Sequence, residues 1–475
     1  MNAHSDPSAG DVLDEIGAIV GAANVVTDAF AMQPYLVEER GLYRGAAQAI
    51  VRPGSVEEIS RLLAFCNARG VKIVPQGGNT GLVGGALPQD PKRHVALCLG
   101  RLDRIRAIEP DDYSAVVEAG CILQTVKDAV AEHDLFLPLS IGAQGTSQIG
   151  GVVSTNAGGI NVLRYGMMRD QVLGLEVVLA DGSLWDGLRT LRKNNTGPDL
   201  KQLFIGAEGT FGIVTAAALR LVPRPRTRAS ALIGLPDLEA TMRTFHLARR
   251  ACSDLLSAFE FMMPPAMQIA VAAQPGAPEL PTPAAVYALI ELAAPGPVDL
   301  QALLEGFLAE AAEAGLVEDG ILATSETQAQ RIWALRESVN EGQARMGRSL
   351  GSDVSVRLSA LPRFVREACA EIEAAVPGAR AIAYGHFGDG NVHLNVFPPT
   401  GAGAAPADET LAHAKAVLNA CVDRHGGSIS AEHGIGRLKR ADFGARLHEP
   451  ARTMLRGLKS TLDPDGRMNP GALHV

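Results

Sequence analysis

No C-x-x-C pair occurs among the six cysteines of this 475-residue chain, and Cys66, Cys98, Cys121, Cys252, Cys369 and Cys421 stand far apart. Such spacing excludes a thiolate zinc site and a disulfide framework, and suits free thiols in a reducing compartment. Runs of Lys or Arg are also missing, and the net charge is −9. A nucleic-acid footprint is therefore not expected. Glycine or charge interrupts every apolar run before it reaches membrane-spanning length, so no transmembrane segment is expected. The polar stretch 1–10 lacks the basic and apolar regions of a signal peptide and the Arg-rich pattern of a transit peptide, which predicts a cytoplasmic protein. Neither G-x-G-x-x-G nor G-x-x-x-x-G-K-[ST] appears, against a Rossmann nicotinamide site and against a P-loop. There is no internal repeat, and low complexity is confined to Pro398–Pro406.

What is present is ordinary globular material, 47% apolar and 20% charged, enough for two or three domains with a large core. Residues 11–30 read as helix, 47–51 as a short strand. Ser55 predicts a helix cap, with Glu58 completing a capping box and Ile59, Leu62, Leu63 and Cys66 on the apolar face. Gly70 ends that helix, and Val71–Val74 is a buried strand. It runs into Pro75-Gln76-Gly77-Gly78-Asn79-Thr80-Gly81-Leu82-Val83-Gly84-Gly85. Successive uncovered amides in such a loop bind anions, so phosphate binding is the leading reading. Two more glycine-dense segments follow. The first contains Gly145, Ser147, Gly150, Gly151, Asn156 and Gly158; the second contains Glu208, Gly209, Gly212 and Ile213. Three such loops, each beside an apolar strand, suit a long flat ligand approached closely by backbone.

Beyond residue 225 the pattern changes to Ala-rich amphipathic helices (238–251, 300–314, 326–346, 412–425) alternating with strands (257–261, 285–292). That alternation predicts an α+β domain on an antiparallel sheet. It ends in Tyr384-Gly385-His386-Phe387-Gly388-Asp389-Gly390-Asn391-Val392-His393-Leu394-Asn395-Val396. Asp389-Gly390 predicts a two-residue hairpin turn. His386 would then lie directly opposite His393, with Tyr384, His386, His393 and Asn395 on one face. Two opposed imidazoles make half a metal site, and the Glu432-His433 pair between small residues supplies the remainder.

The chain resembles the FAD-linked D-2-hydroxyacid dehydrogenases of the vanillyl-alcohol oxidase / p-cresol methylhydroxylase superfamily. The resemblance is carried by 77–81, Thr155-Asn156-Ala157-Gly158-Gly159, Leu191–Gly197, 203–212, the hairpin, the Glu432-His433 run and the terminal Asn469-Pro470-Gly471. It covers nearly the whole chain in order. It implies a two-lobed FAD-binding domain over 1–225, a substrate or cap domain over 226–425, and a C-terminal helical segment, 426–475, returning to the first. Pro75, Gly77, Gly78, Asn79, Thr80, Gly81 and the later loop residues named above would hold FAD, with Asn469 returning to the flavin. Asn79 stands where several relatives attach FAD through a His, so the flavin is expected to be non-covalent.

The same resemblance assigns a divalent ion, zinc or another, to His386, His393 and Glu432, a general base to His433, and substrate orientation to Arg336 and Asn395. Arg336 would grip the substrate carboxylate and flavin N5 would accept the hydride. Read from the residues alone, ligand and base could be exchanged among these imidazoles. The pattern departs from the 2-hydroxyglutarate enzymes at Asn340 (usually Thr), Gly351 (usually Lys) and Arg357 (usually Pro). D-2-hydroxyglutarate, D-lactate and D-malate are therefore all expected substrates to consider. An electron-transfer flavoprotein, quinone or cytochrome would reoxidise the flavin, and a homodimer is expected. The competing readings are a glycolate/D-lactate oxidase-type subunit passing electrons to a membrane or flavoprotein acceptor, and a zinc hydrolase with tightly packed glycines.

Overall fold

The computed structural model describes residues 9–400 and 406–473. Residues 1–8 of the polar N-terminal stretch and 401–405 of the Pro-rich tract lie outside them. The chain forms two compact units. One takes the described residues up to Gly158, then Gly166–Arg224 and the chain from Glu432; the other takes Gly159–Tyr165 and Pro225–Ala431. Among the described residues no helix is long and apolar enough to cross a membrane, and all six cysteines are free.

The first unit has two principal sheets. In the smaller, strands run in the order Val25–Val26, Ala49–Val51, His94–Cys98, Lys72–Gln76, with the last three parallel. Helix Val56–Arg69 covers this sheet. Ser55 caps it by accepting from the Glu58 amide, and Ile59, Leu62, Leu63 and Cys66 are buried beneath it as their spacing predicts. Gly70 closes it in the left-handed conformation at φ 75°. The capping box differs in detail, because the Glu58 carboxylate reaches back to Gly54 N at 2.6 Å and not to Ser55. The predicted single helix over 11–30 is instead Ala9–Val20 and Ala29–Leu36, parted by Gly21 at φ 83° and the short strand Val25–Val26. The larger sheet is antiparallel, in the order Ile105–Glu109, Ser114–Glu118, Ile213–Arg220, Val172–Val178, Leu184–Gly187. The C-terminus returns to this unit through backbone bonds, Ile73 N to Arg467 O and Asn469 N to Ile73 O, both 2.8 Å.

The second unit is a seven-stranded antiparallel sheet in the order Asp319–Leu322, Thr227–Leu235, Val286–Ala294, Leu256–Met262, Arg380–His386, Asn391–Phe397, Val354–Ser355. Helices lie on both faces. Phe245, Phe259, Phe261, Phe364 and Phe387 belong to one core, while Met262, Leu289, Leu335, Ile382 and Tyr384 belong to the other. Alternation along Leu256–Met262 therefore sends Phe259 and Phe261 to the first core, and Glu260 and Met262 to the second.

Candidate flavin cradle and active site

In the first unit the three glycine loops come together. Lys72–Gln76 delivers the chain to the 77–81 loop, and a Cβ on Gly78 would overlap the Thr146 carbonyl oxygen, so only glycine permits that approach. Gly150, Gly209 and Gly212 likewise face protein at close range. By contrast, a Cβ on Gly81, Gly145 or Gly151 would meet nothing within 4 Å. Thr80 Oγ1 and Ser147 Oγ bridge the first two loops at 3.1 Å. The third is joined to the second by Gly206 N to Val153 O at 3.1 Å and Glu208 N to Ser154 O at 2.8 Å. Among the described residues, no backbone amide from Gly77 to Gly81 donates to a protein acceptor. Gln148 Oε1, 3.6 Å from where a Gly77 Cβ would stand, is buried without a hydrogen bond. Uncovered amides beside open glycine faces fit a phosphate-bearing, flat cofactor.

Four of the eight non-glycine residues with positive φ among the described residues lie here: Asn79 at 56°, Asn156 at 50°, Glu208 at 52° and Asn469 at 41°. Strained backbone of this kind persists only where its surroundings over-determine it. Hydrogen bonds account for each. Asn79 Nδ2 donates to Val37 O at 2.8 Å, and Asn156 Oδ1 accepts from Arg169 N at 2.8 Å. The Glu208 carboxylate accepts from Ile435 N and Gly436 N, both at 2.8 Å. Burial raises the Glu208 pKa although those amides oppose the shift. Asn469 Nδ2 donates to Gly85 O and Glu208 O at 3.0 and 2.7 Å, and its Oδ1 accepts from Arg437. The Glu208 and Asn469 side chains therefore clamp the loops to the C-terminal return. Arg437, which spans Gly84, Gly85, Asn469 and Pro470, was missed in the sequence. Burial pushes its pKa down to about 10. Pro75 lies in the strand that enters the first loop, and Ile213 opens the buried strand that leaves the third.

In the second unit the hairpin departs from the expected register. Tyr384, not His386, pairs with His393, and Ile382 pairs with Asn395. The connection is the short 3-10 turn Phe387–Asp389 followed by Gly390 at φ 84°, longer than the two-residue turn expected from Asp389-Gly390. The displacement is two residues, an even number, so every side chain keeps its face. His386 and His393 remain together as diagonal neighbours, ring centroids 5.4 Å apart. Tyr384 lies 5.2 Å from His393.

Glu260, which sequence reasoning overlooked, is at the centre. It pairs with His386 across the ladder and is 1% exposed. Its Oε1 lies 2.7 Å from His386 Nδ1, and its Oε2 accepts from Arg336 Nε at 2.9 Å. Burial opposes ionisation of Glu260, yet the hydrogen-bonded His386 and the Arg336 guanidinium hold its pKa below the ordinary carboxylate value. The only signal was an acid in an otherwise uncharged strand, Leu256–Met262. Arg336 stacks on Tyr384, its guanidinium carbon 4.8 Å from the ring centroid. Neither of its Nη atoms donates to a described residue, so both can face a carboxylate. One stripe of the same helix, Glu326–Arg345, adds Asn340, which accepts from Tyr384 Oη at 2.7 Å, and Gln343, which accepts from Asn395 Nδ2. Asn395 Oδ1 in turn accepts from Ser352 N at 3.1 Å. Asp353, fully buried, accepts from Asn391 Nδ2 at 2.9 Å and lies 3.9 Å from His393 Nδ1. Ala431 N donates to Asp353 O at 3.3 Å, and the next residue in the chain is Glu432. A separate group, Glu367, Cys421 and His425, could also hold an ion. There Glu367 already bonds Arg363 and His425 at 2.6 and 2.9 Å, and burial pushes the Cys421 thiol up to about 11.

The sequence matches the family described as FAD linked oxidases, C-terminal domain, over residues 224–473, and the FAD binding domain over residues 47–187. The chain belongs to the FAD-linked oxidases, and within them to the D-2-hydroxyacid dehydrogenases. Among its relatives, the mitochondrial D-2-hydroxyglutarate dehydrogenase of Bos taurus is 37% identical over 460 residues, covering 96% of this chain and 82% of the relative. The D-2-hydroxyglutarate dehydrogenase of Stutzerimonas stutzeri (strain A1501) is 34% identical over 477 residues, covering 99% of both. The crystal structure of p-cresol methylhydroxylase with substrate bound superposes with a TM-score of 0.73 at 17% identity, over 98% of this chain and 96% of that one. At that identity it shows the fold, a two-part FAD-binding architecture with an antiparallel α+β second domain. FAD is the cofactor, and the cradle's uncovered amides and open glycines fit it.

Proposed function

We propose that this protein oxidises a D-2-hydroxyacid to the 2-oxoacid with non-covalent FAD and a divalent ion, zinc by preference. D-2-Hydroxyglutarate, the substrate in the relatives' names, is the first to test, with D-lactate and D-malate beside it because Asn340, Gly351 and Arg357 depart from the 2-hydroxyglutarate pattern. The observation that carries the reading is the face shared by His386, His393, Arg336, Tyr384 and Asn395, where two imidazoles stand beside a guanidinium with unoccupied Nη atoms.

His386 and His393 would hold the ion with Glu432. That assignment is supported by the ligand chemistry of two imidazoles and a carboxylate, and by the bond that fixes Ala431, the residue before Glu432, to Asp353. When bound, FAD would supply the acceptor for the Cα hydride, at N5, and the divalent ion would supply a Lewis acid that lowers the pKa of the substrate hydroxyl. Arg336 binds the substrate carboxylate through its two Nη atoms. Asn395, oriented by Ser352, fixes the hydroxyl end. An imidazole nitrogen of His433 takes the hydroxyl proton. Asn79 bonds Pro34 and Val37 through its amide, which suits a flavin held without a covalent link. An electron-transfer flavoprotein, quinone or cytochrome would reoxidise the flavin, and the working form would be a cytoplasmic homodimer.

The test is dye reduction by the purified yellow protein with D- and L-2-hydroxyacids, with and without chelator, beside Glu432→Gln. The expected result is D-selective reduction that chelator removes, with Glu432→Gln keeping flavin while losing metal and turnover. Full activity in that variant, or indifference to chelator, would defeat the metal assignment.

A further inference from the structure

We propose that Glu260 is a positioning residue, a single buried carboxylate that locks the imidazole of His386 and the guanidinium of Arg336 to each other. The inference rests on the proposed roles of His386 toward metal and Arg336 toward substrate, and assigns what sets both.

Glu260 divides its two oxygens between two donors on different elements. Oε1 takes His386 Nδ1 from the neighbouring strand at 2.7 Å, and Oε2 takes Arg336 Nε from helix Glu326–Arg345 at 2.9 Å. With Glu260 Oε1 accepting from Nδ1–H, the neutral imidazole of His386 carries its lone pair on Nε2. That is the tautomer a ligand through Nε2 requires, and a hydrogen-bonded carboxylate behind a ligating imidazole raises its basicity. The second oxygen acts on geometry. Holding Nε of Arg336 against Glu260, with the guanidinium stacked on Tyr384, fixes the plane of the fork that its Nη pair makes. At 1% exposure water cannot substitute for either contact. Glu260 also lies in register with His386, so the ladder itself sets the first distance. Ion binding and carboxylate binding thereby share one anchor, and disturbing it should weaken both.

Glutamine at 260 keeps the volume but offers one acceptor. If its oxygen faces Arg336, its NH2 faces His386 and drives the imidazole proton to Nε2. If its oxygen faces His386, its NH2 opposes Arg336 Nε. The experiment measures Glu260→Gln in the flavin-loaded protein: flavin per chain, metal affinity by titration with a competing chelator, and KM and kcat at saturating metal. Flavin content should stay native, metal affinity should fall roughly 10- to 100-fold, and KM should rise at least about fivefold even with metal restored. Metal affinity or KM within twofold of native would overturn the shared anchor. Should Glu260→Gln fail to fold, Glu260→Asp keeps the charge with a shorter reach; the same two losses are expected at smaller size, and a native value for either overturns the proposal. His393→Ala separates this inference from the one beneath it. If His393→Ala keeps its metal, the metal reading fails; if it loses metal while Glu260→Gln does not, only the role of Glu260 fails.

Discussion

The two units of this chain do their work with different atoms. In the first, the groups presented at the site are backbone amides and bare glycine faces, and side chains such as Glu208, Asn469 and Arg437 serve to hold loops in place. In the second, the groups presented are imidazoles, a guanidinium and amides, and the backbone serves as a ladder that sets their spacing. A cofactor the size of FAD needs close approach over a long path, which only backbone without Cβ atoms allows. A proton transfer and the recognition of one carboxylate need a few charged groups in fixed directions. The same fold therefore tolerates quite different changes in its two halves.

The sharpest break between them should come from the side-chain site. His386→Ala removes one of the two imidazoles and leaves the first unit untouched, so kcat/KM should fall roughly 10³-fold, about 4 kcal/mol of transition-state stabilisation, with flavin absorbance unchanged. A comparable loss of flavin would show that the division of labour is wrong. Gly78→Ala should act the other way. Its Cβ would overlap the Thr146 carbonyl, so the protein should lose about 1–3 kcal/mol of stability and bind flavin poorly, read by denaturant melts and flavin stoichiometry.

Gly81→Ala and Gly145→Ala sharpen the comparison within the cradle. Neither Cβ meets protein within 4 Å, so stability should change by less than ~0.5 kcal/mol while flavin affinity falls about tenfold if those faces contact the cofactor. Unchanged flavin affinity would place the cofactor elsewhere.

The smallest expected effect is acid sensitivity in the first unit. His94 Nδ1 accepts from Gln89 N at 3.0 Å, and burial lowers its pKa below the ordinary 6.5. The unfolded chain then binds the proton more readily than the folded one. Stability is therefore retained above 6.5 and declines as pH falls through the lowered value. His94→Asn, which keeps an acceptor, should flatten that part of the stability curve; an unchanged slope between pH 7 and 5 would remove His94 as its source.

Much of this was legible in the residues. The helix over Val56–Arg69 follows from Ser55, four apolar positions at helical spacing and Gly70, and the structure reproduces it. The glycine loops suggested a ligand surface because an unprotected backbone is rare unless something must approach it, and the amides of 77–81 are uncovered among the described residues. The hairpin was harder. Asp-Gly is a strong two-residue turn signal, but Phe387 packs against Phe245, Phe259 and Phe261. The chain forms a 3-10 turn there, and the register moves by two. Had it moved by one, His386 and His393 would have faced opposite sides of the sheet, and the site would have been misread entirely. Glu260 could not have been singled out. Glu291 is also a buried acid in an apolar strand, and it bonds Ser257, Arg228 and Trp333 instead.

Alone, the order of amino acids settled the helix over Val56–Arg69, where the glycine-dense loops lie and which residue types were available for chemistry, because periodicity and glycine content act locally. Which imidazole meets which carboxylate, and that one glutamate holds both a histidine and an arginine, was decided by packing. Those partners lie 76 and 126 residues from Glu260, and no local rule specifies a meeting over that distance.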